Sequence, residues 1–403
     1  MYKHLIEKSK SSSLKESKQY HNIVKLIRLM TSESKSYTHE DICNILKISA
    51  PTGLKLVSKM LKGKLIIITG KRETENGRRP SLYSINKKNF LAIGIEILLK
   101  RISITLIDIE FNQLYTFHDR SFRLENTQEC LNLIINFIKY HIEKIKIKES
   151  SLIGVGISIT GRVNPKLGTT YNYFNFLEIP FAEFVSNQIF APVFIENDTR
   201  SITLSELTLG KAKNLSNAIV VNLSRGLGAS IILNNTIVIG GKGFAGEFGH
   251  MQFNTSNEIC ICGKSGCLGT TISGYGLEES FKKKIASGEK SIITWPNENF
   301  RYDDIINAAL NGDSLSIQLI HDICVILGKS LGNIMNLLNP EKIILAGKFA
   351  KLSGLLLSPV KMGLMTTALP NLLQSCEIEV SDISENAGII GAGLHVFKSN
   401  NLL

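Results

Sequence analysis

Three cysteines, Cys260, Cys262 and Cys267, fall within eight consecutive positions, and His250 stands ten residues before the first of them. The spacing His-x9-Cys-x-Cys-x4-Cys supplies four nitrogen and sulfur donors of the kind a tetrahedral zinc ion accepts. Three thiolates and one imidazole leave no open coordination position, so the ion would activate no water and would be structural. Gly263 and Gly266 between the cysteines suit a tight knuckle around an ion. The competing reading is three reduced, free thiols; the expectation here is one structural zinc per chain, clamping the loop from Glu247 through Cys267.

Polar clusters interrupt apolar surroundings at "YNYFNF" with Asn175, "FIENDTR" with Asn197 and Asp198, and "GEFGH" with Glu247 and His250. Amides and carboxylates at strand ends can hold the hydroxyls of a polyhydroxy ligand in a set orientation. Asp198 could also serve as a general base toward a hydroxyl. Taken alone, "END" reads as a turn and helix cap.

The elements that would carry these groups form an α/β pattern that starts twice. "FLAIGIEI", "ISITLIDIEF" and "QLYTFHDRSF" read as strands before the helical "TQECLNLIINFIKYHIEKI" and the strand "LIGVGISIT". A similar beginning recurs at "NAIVVNLS", "ASIILNN" and "TIVIGG", followed by long helices and the strand "KIILAG". Two such halves across a cleft would place ligands where strand ends meet. Kinases built this way have a glycine-rich first turn, because only glycine lets backbone N–H groups approach ATP phosphates closely. Here that turn is Leu98, Leu99, Lys100 and Arg101, and the second is Arg225, Gly226, Leu227 and Gly228.

Charge divides the 403-residue chain sharply. Residues 1–90 hold 19 Lys and Arg against 7 Asp and Glu, while the remainder holds 27 against 28, so the whole excess of +11 resides in the first 90 positions. That asymmetry points to a polyanion, with nucleic acid ahead of a membrane surface because no basic amphipathic face with aromatic anchors is visible. Residues 1–20 fit a solvated basic tail. From His21 an apolar stripe of Ile23, Val24, Ile27 and Met30 predicts a helix, and Thr38 with Asp41 has capping-box spacing for a second. Ser49 as N-cap and Pro51 in the first turn open a third, "SAPTGLKLVSKMLKGK". Together these make a helix-turn-helix within residues 21–90, and the strands "LIIITG" and "SLYSIN" flank a basic wing with Arg78 and Arg79. Ser49, Thr52, Lys55 and Lys59 are expected to face the major groove. Gly53 inside that helix costs about 1 kcal/mol against Ala.

No apolar run approaches the length of a membrane span, the opening residues lack the apolar core of a signal peptide, and a cytoplasmic address is expected. Seven cysteines, an odd number, argue against a disulfide framework; Cys43, Cys130, Cys324 and Cys376 read as small buried hydrophobes.

From about residue 22 onward the chain resembles the ROK family, which joins sugar kinases and sugar-responsive repressors, in "GEFGHMQF…CICGKSGCL", "PVFIENDTRS", "LNPEKIILAGKFA" and "AGIIGAGLHVF". The resemblance implies a duplicated, two-lobed, ribonuclease-H-like α/β domain of the actin and hexokinase type over residues 91–403, preceded by an α+β winged helix-turn-helix, as in the repressor branch. It implies sugar contacts from Asn175, Asn197, Asp198, Glu247 and His250, and zinc on His250, Cys260, Cys262 and Cys267. Kinases of the family carry Asp-x-Gly-Gly-Thr where this chain has Glu96, Ile97, Leu98, Leu99 and Lys100, so ATP is not expected to bind. The family also usually has a sugar-contacting glutamate at the position of Gly269.

The expected function is a sugar-responsive repressor that binds operator DNA as a homodimer or homotetramer, with a sugar or sugar phosphate as effector. Two rivals differ in class: a sugar kinase with an added DNA-binding domain and Asp198 as base, and a regulator controlled by a protein partner.

Overall fold

The computed structural model describes residues 14–73, 79–253, 258–296, 299–383 and 385–403. Contacts divide the chain into two compact units, residues 1–198 with 389–403, and residues 199–388.

The first unit opens with three helices, α1 (Leu14–Glu33), α2 (His39–Leu46) and α3 (Ala50–Lys62), and the hairpin β1 (Ile66–Lys71) and β2 (Ser81–Ile85). Helix α1 begins at Leu14, so the basic tail ends earlier than residue 20. The segment "LKESKQY" is polar on every side and offers no apolar period to mark it. Helix α2 starts where the capping box predicts: the Asp41 N–H donates to Thr38 Oγ1 at 3.2 Å and the Thr38 N–H donates to Asp41 Oδ2 at 2.8 Å. Two reciprocal backbone bonds between Tyr37 and Tyr83 form an isolated bridge that ties the start of α2 to the hairpin, the arrangement of a winged helix.

Next come β3 (Leu91–Leu98), β4 (Arg101–Asp108), β5 (Gln113–Asp119), α4 (Gln128–Ile145), β6 (Leu152–Ile159), the small hairpin β7 (Val163–Asn164) and β8 (Thr169–Thr170), α5 (Phe181–Ile189) and β9 (Val193–Asn197). The sheet order is β5-β4-β3-β6-β9, antiparallel through β5, β4 and β3 and parallel through β3, β6 and β9. One face buries Ile93, Ile95, Ile97, Ile104, Val155 and Ile157 against α4 residues such as Ile134 and Ile138. The other receives the C-terminal helix. A Cβ at Gly94 would lie 2.1 Å from the Ile389 carbonyl oxygen, and one at Gly156 1.8 Å from that of Ala392. The glycines in "AIGIE" and "GVGIS" therefore admit helix backbone onto the sheet.

The second unit contains all of α6 (Asp198–Leu209) except Asp198, then β10 (Ala218–Leu223), β11 (Leu227–Leu233), β12 (Thr236–Ile237), α7 (Leu268–Ile272), α8 (Gly274–Ala286), α9 (Tyr302–Leu310), α10 (Ser314–Leu338), β13 (Lys342–Ala346), α11 (Gly354–Met365), α12 (Pro370–Ser375) and β14 (Glu377–Val380). Helix α13 (Ala387–Ser399) closes the chain, with residues from Ile389 in the first unit. The sheet of the second unit, β12-β11-β10-β13-β14, repeats the same sense: three antiparallel strands, then two parallel additions. The weak internal repeat of the sequence is thus a duplication of sheet topology, as a ribonuclease-H-like pair of lobes requires.

Helix α10 is long and apolar enough to span a membrane by length and composition, contrary to the sequence expectation, but 61% of its most apolar window is buried inside the protein. It serves as the central core helix of its unit: Leu319, Ile323, Leu327, Leu331 and Met335 pack with Val360 and Leu364 of α11. Cys43, Cys130, Cys324 and Cys376 are buried, as small hydrophobes should be.

Candidate functional site

Helix α3 presents its faces at 3.6 residues per turn. Gly53, Leu56, Val57 and Met60 are buried, leaving Pro51, Leu54, Lys55, Ser58 and Lys62 as a continuous exposed stripe, with Thr52 exposed on its flank. Ser49 is the N-cap but makes no side-chain cap bond; its hydroxyl meets Thr52 Oγ1 at 3.0 Å. Lys59 departs from the sequence expectation: it is half-buried, and its Nζ donates to Gln19 Oε1 of α1 at 2.6 Å. Helical spacing turns it toward α1, a direction the apolar pattern of α3 alone does not specify. Arg79 is exposed beside the hairpin, while Arg78 lies outside the described residues. Gly53 is no blemish. A Cβ there would stand 2.3 Å from Cys43 Sγ and 2.8 Å from His39 Nε2, so the residue is required by the crossing of α2 and α3.

The winged helix and the turn that follows it are fastened to the remainder of the first unit. Arg28 Nε donates to the Asn401 carbonyl at 2.8 Å, Lys87 Nζ pairs with Glu110 at 2.5 Å, and Ser151 Oγ donates to Asn89 Oδ1 at 3.1 Å.

The first unit carries three of the five expected sugar residues, with Asn197 and Asp198 at the end of β9 and Asn175 in the loop before α5. Asn197 Nδ2 donates to the Gly161 carbonyl at 2.8 Å and to Asp198 Oδ1 at 2.9 Å, and its N–H donates to Glu196 Oε1 at 2.8 Å. Burial, reinforced by the Asp198 charge, pushes the Tyr173 phenol up. Asn175 is held by Asn126, whose Nδ2 donates to Asn175 Oδ1 at 2.9 Å, while Asn126 Oδ1 accepts the Phe174 N–H. Asn126 and Tyr173 carry no signal in the sequence that singles them out; the placement of Asn126 comes from a segment 49 positions away.

The first turn is a tight hairpin in which Leu98 pairs with Arg101. Arg101 Nη2 lies 2.5 Å from Glu96 Oε2, with both side chains largely out of solvent. In the second unit Arg225 of the corresponding turn lies 3.5 Å from the mostly buried Glu278 carboxylate.

Glu247 precedes a single 3-10 turn, Phe248–His250, in the second unit. His250 shows its two ring nitrogens to different partners: Nδ1 is 3.5 Å from Cys260 Sγ, and Nε2 is 3.6 Å from Glu247 Oε2. Cys262 and Cys267 sulfurs are 3.6 Å apart, and all four donor atoms lie within 4.8 Å of one another. A tetrahedral ion with bonds of roughly 2.0–2.3 Å spaces its donors about 3.3–3.8 Å apart, so this group can hold a metal ion. Bonds from the Cys260 N–H to the Lys264 carbonyl and from the Gly263 N–H to the Cys260 carbonyl form the knuckle, with Gly263 at φ 84° and Gly266 at φ 74°. Burial, followed by the neighbouring sulfurs, pushes the Cys267 thiol up to about 12. A bound cation would reverse that preference and hold the thiolate. With Nδ1 toward a bound ion, His250 would turn its outer nitrogen toward Glu247, 3.6 Å away, on the side where a carboxylate can orient the ring of a ligating histidine. Gly269, in α7, sits against the turn itself: a Cβ there would stand 3.1 Å from the Gly249 carbonyl oxygen.

The chain thus combines a duplicated three-antiparallel, two-parallel α/β fold, a loop of one histidine and three cysteines, and an N-terminal helical domain with a β-hairpin. Residues 92–398 match the ROK family, and the chain belongs to it. It is 30% identical over 355 residues to the xylose repressor of Bacillus spizizenii, covering 86% of this chain and 88% of that protein. It is 28% identical over 340 residues to the transcriptional dual regulator NagC of Escherichia coli K12, covering 83% and 82%. Its fold matches the crystal structure of a ROK family transcriptional regulator, a homologue of the E. coli MLC protein, with a TM-score of 0.79 at 22% identity over 94% of this chain and 98% of that one. A ROK family glucokinase from Streptomyces griseus matches with a TM-score of 0.65 at 23% identity, covering 76% of this chain and 98% of the kinase.

Proposed function

We propose that the chain is a cytoplasmic, sugar-responsive transcriptional repressor that binds operator DNA as a homodimer or homotetramer. The observation that carries this reading is the exposed basic face of α3, with its wing, on a chain of the ROK family. Its relatives named as xylose repressor and N-acetylglucosamine repressor support the assignment. Thr52 and Lys55 are assigned to the major groove with Ser49 at the helix entrance, Arg78 and Arg79 to the phosphate backbone, and Lys59 to fastening α1 onto α3.

Asn175, Asn197, Asp198, Glu247 and His250 are assigned as the candidate contacts to a sugar or sugar derivative. Zinc on His250, Cys260, Cys262 and Cys267 would be structural, fixing the loop that carries Glu247. Its closed donor set supplies rigidity rather than an activated water. Each ligand hydroxyl can be both donor and acceptor, which suits carboxylate and amide partners. A sugar shifts DNA affinity only through unequal affinity for two conformations, and the coupling is reciprocal. The Arg28, Lys87 and Ser151 contacts tie the winged helix and its connecting turn to the remainder of the first unit, which also carries Asn197, and support such coupling.

The chain is not assigned a kinase activity: Leu98 and Leu99 replace the glycines a phosphate loop needs, and Arg101 already pairs with Glu96. Fluorescence anisotropy with DNA upstream of the chain's own gene, with xylose, N-acetylglucosamine, glucose and their phosphates added in turn, tests the reading. Salt-dependent, sequence-selective binding that one sugar modulates supports it. Sugar-dependent ATP consumption abolished by Asp198→Ala would support the kinase instead. A stoichiometric protein partner with no sugar response would support control by that partner.

A further inference from the structure

Helix α3 carries a large apolar side chain that its own packing does not use. Leu54 is 60% exposed, whereas the inward face of the helix is filled by Gly53, Leu56, Val57 and Met60. A single exposed leucine on a protein surface is ordinary; its position here is not. Pro51, Leu54, Lys55, Ser58 and Lys62 stand at i, i+3, i+4, i+7 and i+11, one stripe along the outward face, with Leu54 in the N-terminal half of the helix and lysines on its C-terminal side. In a helix-turn-helix the N-terminal residues of the second helix meet base edges, and apolar side chains there recognise the C5-methyl group of thymine.

We propose that Leu54 is a specificity-determining residue that reads a thymine methyl in the major groove of each operator half-site. The inference rests on the DNA-binding function proposed above. Leu54 has no hydrogen-bonding capacity, so it discriminates thymine from cytosine or uracil by the methyl alone. Lys62 on the same stripe supplies attraction that is indifferent to sequence, while Lys55 keeps its place in the major groove.

The test uses the full-length protein. A random-sequence duplex library is enriched for binding, and the selected duplex is resynthesised with deoxyuridine replacing each thymine in turn, which removes only the methyl. One replacement per half-site is expected to weaken the wild-type protein about fourfold per methyl lost. Leu54→Ala is expected to bind the thymine and deoxyuridine duplexes alike, near the wild-type level for deoxyuridine. Leu54→Met, which keeps an apolar side chain of similar reach, is expected to retain the discrimination. Matching melting temperatures of the three proteins exclude misfolding as the cause. Selective binding by the wild type with no thymine-to-deoxyuridine difference, or the same difference in Leu54→Ala, overturns the role of Leu54 while leaving DNA binding intact. Failure to enrich any duplex overturns both.

Discussion

The Arg101 guanidinium lies 2.5 Å from the Glu96 carboxylate, across the hairpin turn between β3 and β4, with the side chains 14% and 5% exposed. Both groups are thereby committed to each other inside the turn. Removing one partner of a buried ion pair costs about 3–5 kcal/mol, because the other charge stays in a poorly solvating site. Arg101→Ala is expected to destabilise the first unit within that range in urea unfolding followed by circular dichroism. Adding Glu96→Gln should recover part of the loss, and neither variant should gain an ATP-induced thermal shift.

Gly53→Ala separates local propensity from packing. Propensity alone predicts a gain of about 1 kcal/mol. The 2.3 Å approach to Cys43 Sγ predicts the opposite sign, since overpacking at a helix crossing costs about 1–3 kcal/mol and the short cysteine side chain has little room to move. Chemical unfolding should show Gly53→Ala destabilised, and Cys43→Ala in the same chain should relieve most of the effect.

The capping box makes the winged helix acid-sensitive. Burial alone pushes the Asp41 carboxyl up, but bonds from the Thr38 N–H, the Arg72 guanidinium and the Thr38 hydroxyl together hold it below its ordinary value of 3.8. A carboxyl depressed in the folded state adds stability that is complete above the unfolded value and disappears as pH falls through the folded one. Thermal unfolding between pH 5 and pH 2, a window set roughly by the carboxylate range, should show this loss in the wild type. Asp41→Asn should be less stable at neutral pH and show a shallower decline on acidification.

Cys267→Ser tests the metal loop. The wild-type protein should carry zinc in about a one-to-one ratio by elemental analysis, and the variant should carry much less. Cobalt substitution of the wild type should give thiolate-to-metal absorption and tetrahedral d–d bands. Chelation or Cys267→Ser should open residues 250–267 to limited proteolysis and weaken any sugar-induced thermal shift, because Glu247 is held through His250 at 3.6 Å.

Several features are readable directly along the chain. Thr38 and Asp41 mark a helix start because an N-cap acts on a backbone N–H three residues away. The repeated strand order is visible because side-chain alternation and glycine punctuation are properties of short segments. Lys59 and Asn126 are not readable in the same way. Lys59 shares its helix with Lys55, but only α1, through Gln19, decides that it turns inward. Asn126 looks like an ordinary loop asparagine until the fold brings it to Asn175.

Sequence by itself determined the cationic front segment, the duplicated α/β pattern, the spacing of His250 with Cys260, Cys262 and Cys267, and the Asn197 and Asp198 pair at the end of β9. Each is a local pattern of charge, period or spacing. Tertiary structure alone decided that Gly53 is a contact point with Cys43, that Asn126 meets Asn175, and that Leu54 remains outside the core. Those outcomes depend on which segments meet and at what distance. Desolvation and close packing act only after distant residues have been brought together, so nearest-neighbour patterns do not specify them.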